Sequence, residues 1–240
     1  MRSVRRPQTF EGHRHRDVTG GGPRAAVFGV SDGLVTNVSL ILGVAGAHPS
    51  GTFVRLAGLA GLIAGAFSMA AGEYVSMQAQ RELIERELEV ERQSLAQAPE
   101  MEREELQTLY TDRGIHPEVA RDLADNVMRD PDLALDTHAR EELGINPQSI
   151  GSPIQAAVSS FLAFSVGALL PLIPWLITSG VGAEVASIVI ALVASTIVGW
   201  ALGIFTARSP WRSALRQVVV VVIAAGITYG IGRAIGVSTG

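Results

Sequence analysis

The chain contains no cysteine, which excludes disulfides and thiolate metal sites alike. Any metal ligand must then be a carboxylate, an imidazole, a thioether or a carbonyl, a set that suits hard and borderline cations. Lysine is absent as well; all 19 basic residues are Arg, a trait that fits a GC-rich genome and says nothing of mechanism. The first 24 residues are basic and polar and lack the apolar run that a cleavable signal peptide needs. Leu56 to Gly72 carries no charge, and the turns at 48–52 and 178–184 carry no Arg or Lys.

What is present is apolar and unevenly spread. Of 240 residues, 48% are hydrophobic, too many and too clustered for one soluble domain. The net charge of -4 hides a segregation. Arg81 to Glu142 holds 18 acids against 8 Arg, whereas the rest of the chain holds 5 acids against 11 Arg.

The stretch from Leu56 to Gln97 organises the chain. It begins apolar and passes without Gly or Pro into a run, Gln80 to Gln93, in which about half the residues are charged. A helix that leaves a membrane and continues into water reads this way. Some 40 residues at 1.5 Å each make a rod of roughly 60 Å, about twice a hydrocarbon core.

Five membrane spans are expected: 25–47, 53–77, 152–177, 185–206 and 217–231. Ser31-Asp32-Gly33 and Asn37 are expected to interrupt the first, and Pro171 and Pro174 to kink or interrupt the third. Pro99 breaks the acidic arm, and three short helices follow at 100–110, 117–128 and 131–143, the last ending at Gly144. Arg208 to Arg216 reads as a basic hinge with Trp211 as an interfacial anchor. The division is thus a basic tail (1–24), spans 1–2 (25–79), an acidic helical metal-binding insertion (80–152) and spans 3–5 (153–240), in an all-α fold. Arg bias places the N-terminus and the insertion in the cytoplasm and the C-terminus outside.

The chemistry falls into two groups. Asp32 in the first span is costly there, by about 2.5–3.5 kcal/mol on insertion scales, and a functional role is the default reading. The alternative is a buried Asp capping a broken helix at Gly33. Asn37 adds an oxygen ligand on that span. Met69 and Glu73, at i and i+4, put a thioether and a carboxylate on one face of the second span; a core Met and a headgroup-level Glu are the plainer readings. In the insertion, Glu102 and Glu105 share a face at i, i+3, and His138 and Glu142 at i, i+4. Converging carboxylates would bind divalent cations, although a solvated helix laced by Glu–Arg pairs has the same composition. Gly29-xxx-Gly33 and Gly61-xxx-Gly65 permit close helix packing without naming a partner.

Three segments carry a resemblance: Gly29-Val-Ser-Asp-Gly-Leu-Val-Thr-Asn37, Gly65-Ala-Phe-Ser-Met-Ala-Ala-Gly-Glu-Tyr74 and Leu169-Leu-Pro-Leu-Ile-Pro-Trp175. In this order they resemble the vacuolar iron transporter family, and the resemblance runs from about Arg24 to the end. It implies a divalent metal–proton antiporter that moves Fe²⁺, and often Mn²⁺, out of the cytosol, working as a homodimer with the path between subunits. It implies that Asp32 and Met69 are the intramembrane metal residues, and that Glu91, Glu102, Glu105 and Glu142 belong to the cytoplasmic metal-binding domain. The chain departs from the plant-type pattern at Ser94, where a ligand glutamate is replaced. Gly61 stands where that pattern has an acid and Glu73 where it has a Gly; His138 and Ala139 replace a pair of Met.

The expectation is therefore a transporter and not an enzyme, with no permanently bound cofactor and no nucleic-acid partner. Its partners are protons, the bilayer, a second copy and the transported ion: Fe²⁺, with Mn²⁺, Co²⁺ and Zn²⁺ as alternatives. A bacterial plasma membrane is favoured over a vacuolar one. Two rivals remain. One is a membrane interaction protein whose acidic arm is a dimerisation stalk. The other is a ferritin-like iron-oxidising enzyme, which His116 and His138 serve poorly because neither has Glu three residues before it.

Overall fold

The computed structural model describes residues 21–47, 50–146 and 151–239. The basic tail up to residue 20 and the turn residues His48 and Pro49 lie outside the described residues. Eight helices make up the described residues: α1 (Gly21–Ala47), α2 (Gly51–Gln97), α3 (Pro99–Asp112), α4 (Pro117–Val127), α5 (Pro131–Glu141), α6 (Pro153–Ile177), α7 (Val181–Phe205) and α8 (Pro210–Thr239). Five of these, α1, α2, α6, α7 and α8, are long and apolar enough to cross a membrane. The fold is all-α, as expected.

The long rod exists as one helix. α2 runs 47 residues without a break, roughly 70 Å, and ends where Ala98 and Pro99 stop it. The expected boundary between span and insertion at residue 79 therefore lies inside a continuous helix. The three insertion helices each begin with Pro, whose missing N–H costs nothing in a first turn. The Asp130 carboxylate caps α5 by accepting from the N–H groups of Asp132 and Leu133 at 3.0 and 3.3 Å. Gly144 follows α5 with φ +65, a left-handed position natural to glycine.

Three expectations need correcting. Neither Ser31-Asp32-Gly33 nor Asn37 interrupts α1, which is helical throughout. Pro171 and Pro174 lie inside α6, which is helical from Pro153 to Ile177, so of the expected kink or interruption the interruption does not occur. Neighbouring helices in a bilayer tolerate Gly and Pro that would end a helix in water. The basic hinge is shorter than expected: α7 ends at Phe205 and α8 already starts at Pro210, so Arg212 and Arg216 are helical residues of the fifth span's first turns.

Glycine explains the unbroken α1. A Cβ at Gly33 would lie 2.2 Å from the Phe164 carbonyl oxygen, and one at Gly167 would lie 2.1 Å from that of Val30. The α1–α6 crossing is thus made by backbone against backbone, and even Ala would force the helices apart. Gly33 is there for proximity and not for a turn. Gly65 makes room for a side chain instead: the Phe164 ring of α6 lies 2.3 Å from its missing Cβ.

Three apolar clusters hold the spans together. Leu34, Val38 and Leu42 of α1 meet Ala191 and Ala194 of α7 and Val221 and Ala225 of α8. Ile41 and Ala45 meet Val54, Leu172, Trp175 and Ala183. Ala66 meets Phe164 and Ala168. A fourth cluster, Leu106, Tyr110, Ala120, Ala124, Val127 and Ala134, is separate and builds the insertion from α3, α4 and α5.

Candidate metal site

Four predicted residues converge. Glu91 on α2, Glu102 on α3, His138 on α5 and Glu142 at its C-terminal cap each offer one ligand atom, all within 4.8 Å of one another. His138 stands at the centre. Its Nδ1 lies 3.2 Å from Glu91 Oε1, 3.6 Å from Glu142 Oε2 and 3.8 Å from Glu102 Oε2. Glu91, Glu102 and His138 are buried, and Glu142 is exposed at the rim. His138 Nε2 is buried without a hydrogen-bond partner among the described residues, and Glu91 Oε1, also buried and outside hydrogen-bond geometry, has the His138 Nδ1 ion-pair contact. Buried polar atoms without partners are rare, and an ion drawing three carboxylates together would explain the arrangement.

The local sequence accounts for this geometry. The break at Ala98-Pro99 folds α3 back on α2, so that Glu91 and Glu102 face each other. Spacing of four residues puts Glu142 one turn beyond His138. Glu105 is exposed and is not one of the four, although it is near enough to repel Glu91 and Glu102 electrostatically. Other acids of the arm do pair with Arg, as Glu85 does with Arg81 and Glu89 with Arg92. The solvated-face reading fits those residues, whereas Glu91, Glu102 and His138 are buried.

Burial pushes the Glu91 and Glu102 carboxyls above the ordinary carboxylate range; His138 opposes the shift, and Glu142 and Glu105 add to it. The folded protein thus holds protons that the unfolded chain has released. Without metal, its stability falls as pH rises from the ordinary Glu value of about 4.3 through the raised folded values. A bound cation reverses the penalty. Melting curves of the metal-free protein are expected to show lower stability at about pH 7 than at about pH 5, with added Mn²⁺ stabilising far more at the higher pH. Equal Mn²⁺ stabilisation at both would refute the cluster as a metal site.

The intramembrane residues are arranged differently. Asp32 is exposed on α1, with the Thr36 hydroxyl donating to Oδ1 at 3.5 Å. Met69 is partly buried against Phe164, Ala168 and Ala66. Glu73 is partly buried one turn further along α2. Asn37 is fully buried: its Nδ2 donates to the Ala168 carbonyl at 2.6 Å, and its Oδ1 would sit 2.9 Å from a Cβ at Gly61. Asn37 thus ties α1 to α6.

A VIT family model matches residues 23–233. The chain belongs to the VIT family. It is 31% identical over 225 residues to "Vacuolar iron transporter 1" of Oryza sativa subsp. japonica, covering 93% of this chain and 89% of that one. It is 32% identical over 213 residues to the Arabidopsis thaliana protein of the same name, with 88% and 85% covered. It is 40% identical over 166 residues to "Vacuolar iron transporter" of Acanthamoeba castellanii, with 68% and 60% covered. This VIT-family chain is an integral membrane protein of a transporter family and not an enzyme.

One polar contact beside Asp32 escaped the sequence reading. Gln217 Nε2 on α8 donates to the Ser31 hydroxyl at 2.6 Å, fixing α8 against α1 next to the carboxylate. A lone Gln at the head of an apolar run gives no sign of its partner 186 residues away.

Proposed function

We propose that the protein transports Fe²⁺, and in the same manner Mn²⁺, out of the cytosol in exchange for protons. The observation that carries this reading is the Glu91–Glu102–His138–Glu142 cluster, built partly on the same unbroken helix that holds Met69 and Glu73. Three carboxylates and one imidazole suit a divalent first-row cation and not a soft monovalent one. The cluster captures metal on the cytoplasmic side. Asp32, Met69 and Glu73 then pass it through the membrane, where a carboxylate binds metal when ionised and releases it when protonated.

The reading includes a homodimer. Asp32 lies on an α1 face that no other described helix covers, a poor place for a carboxylate in contact with lipid. A second copy packed on that face would enclose the path. The names of the relatives support iron as the cargo. The Arg pattern supports a cytoplasmic insertion and an external C-terminus; reporter fusions at Gly144 and Gly240 should then give opposite signals.

Liposomes holding the purified chain test the proposal directly. An imposed pH gradient should drive uptake of Fe²⁺ and Mn²⁺ and dissipate as metal moves. Metal movement indifferent to the gradient would refute proton exchange; none of any divalent ion would refute transport.

A further inference from the structure

A groove with no part in the metal reading opens between α1, α7 and α8. Its volume is about 240 Å³, and its walls are apolar, with Val38, Leu42, Ala191 and Val222 among them. Two residues break that pattern, Glu184 and Tyr229. Glu184 lies in the first turn of α7, at the end of the span, whereas Ala191 and Leu192 line the groove about two turns deeper. The groove therefore has a carboxylate at headgroup level and hydrocarbon walls below it. On α1, Val38 lies about 120° around the helix from Asp32 and about 160° from Thr36, so it faces a different side from that pair; Leu42, at about 80° and 120°, lies between the two sides. The groove is thus separate from the proposed ion path, and its apolar walls would not pass an ion.

We infer that this groove seats one phospholipid with a primary-amine headgroup, its ammonium on Glu184 and an acyl chain along the apolar walls. The Glu184 backbone N–H donates to the Gly180 carbonyl at 3.2 Å within the first turn of α7, while its carboxylate makes no hydrogen bond or ion pair among the described residues. An acid in a helix's first turn suits the dipole, which makes its presence tolerable but does not explain the groove beneath it. A carboxylate selects an ammonium over a phosphate by charge. It selects a primary amine over a choline by chemistry, because –NH₃⁺ has three N–H donors and a quaternary nitrogen has none. Hydrocarbon walls select a lipid over a water-soluble amine.

The full chain, reconstituted in vesicles of equal parts phosphatidylethanolamine and phosphatidylcholine and then extracted gently, should retain phosphatidylethanolamine in excess on native mass spectrometry. Glu184→Gln should lower that excess by roughly tenfold, about the worth of one charge-assisted hydrogen bond. Val222→Trp, which fills the groove from its exposed rim and spares the core, should lower retention of both lipids. Equal retention of the two lipids by the wild type, or an excess untouched by Glu184→Gln, overturns the inference. So does a crosslink from the groove to a second copy of the chain, which would make it a subunit contact. Metal transport in the same vesicles reads out separately, so failure of one reading leaves the other distinguishable.

Discussion

Asp32→Asn is expected to abolish pH-driven metal transport in liposomes while metal capture by the Glu91–Glu102–His138–Glu142 cluster persists. The substitution keeps the size, the Thr36 contact and a carbonyl ligand, and removes only the titration. Proton and metal compete for one carboxylate in the proposed mechanism, so each weakens the other's binding. Asn carries no such competition, and the gradient loses its grip on the ion. Because Asp32 is exposed on α1 and packs into no core cluster, loss of folding is not expected to confuse the result. Met69→Leu is the companion: it preserves packing against Phe164 and removes the sulfur, so transport should slow and selectivity change while pH dependence remains. Near-wild-type transport by Asp32→Asn would transfer the coupling role to Glu73.

The second large effect is expected from Glu91→Gln combined with Glu102→Gln. Removing two of four ligands should weaken Mn²⁺ binding beyond the roughly 10–100-fold typical of losing an outer-shell partner. The metal-free double variant should also be more stable than the wild type at neutral pH. Burial penalises both carboxylates in their charged form, and the neutral amide relieves that penalty. Opposite changes in binding and stability identify ligands; a merely structural pair would lose both together. Glu118 and Asp122, both exposed on α4, serve as the control and should leave binding nearly unchanged when neutralised. Equal loss from both pairs would point to diffuse attraction by an acidic surface and favour the stalk reading.

The parts legible in the sequence share a physical cause. The continuity of α2 could be read because nothing between Leu56 and Gln97 breaks it except glycines in its apolar half, where they are tolerated. The starts of α3, α4 and α5 could be read because Pro at the first turn is a local signal. The corrected elements fail for the opposite reason. Gly33, Pro171 and Pro174 act locally as breakers, but contacts from distant helices decide their effect, and one sequence carries no record of which helix lies alongside. The cluster was partly legible: the i, i+4 pair His138–Glu142 is local, whereas the approach of Glu91 and Glu102 depends on how the turn at Ala98 closes. Glu105 shows the limit of spacing arguments, for it shares a helix face with Glu102 and still stays outside the four.

The unjointed α2 also sets how the two ends of the molecule can communicate. Glu91 lies 18 residues beyond Glu73 on the same helix, roughly 27 Å along its axis. A rod of that length acts as a lever on the segment that packs against α6. Tilting it by about 10° about Glu73 would sweep Glu91 through roughly 5 Å, about the whole span of the Glu91–Glu102–His138–Glu142 cluster. Small adjustments of packing around Met69 would thereby be magnified at the far tip of α2, and Glu91 could not shift with the helix without a torque on the face that packs against α6.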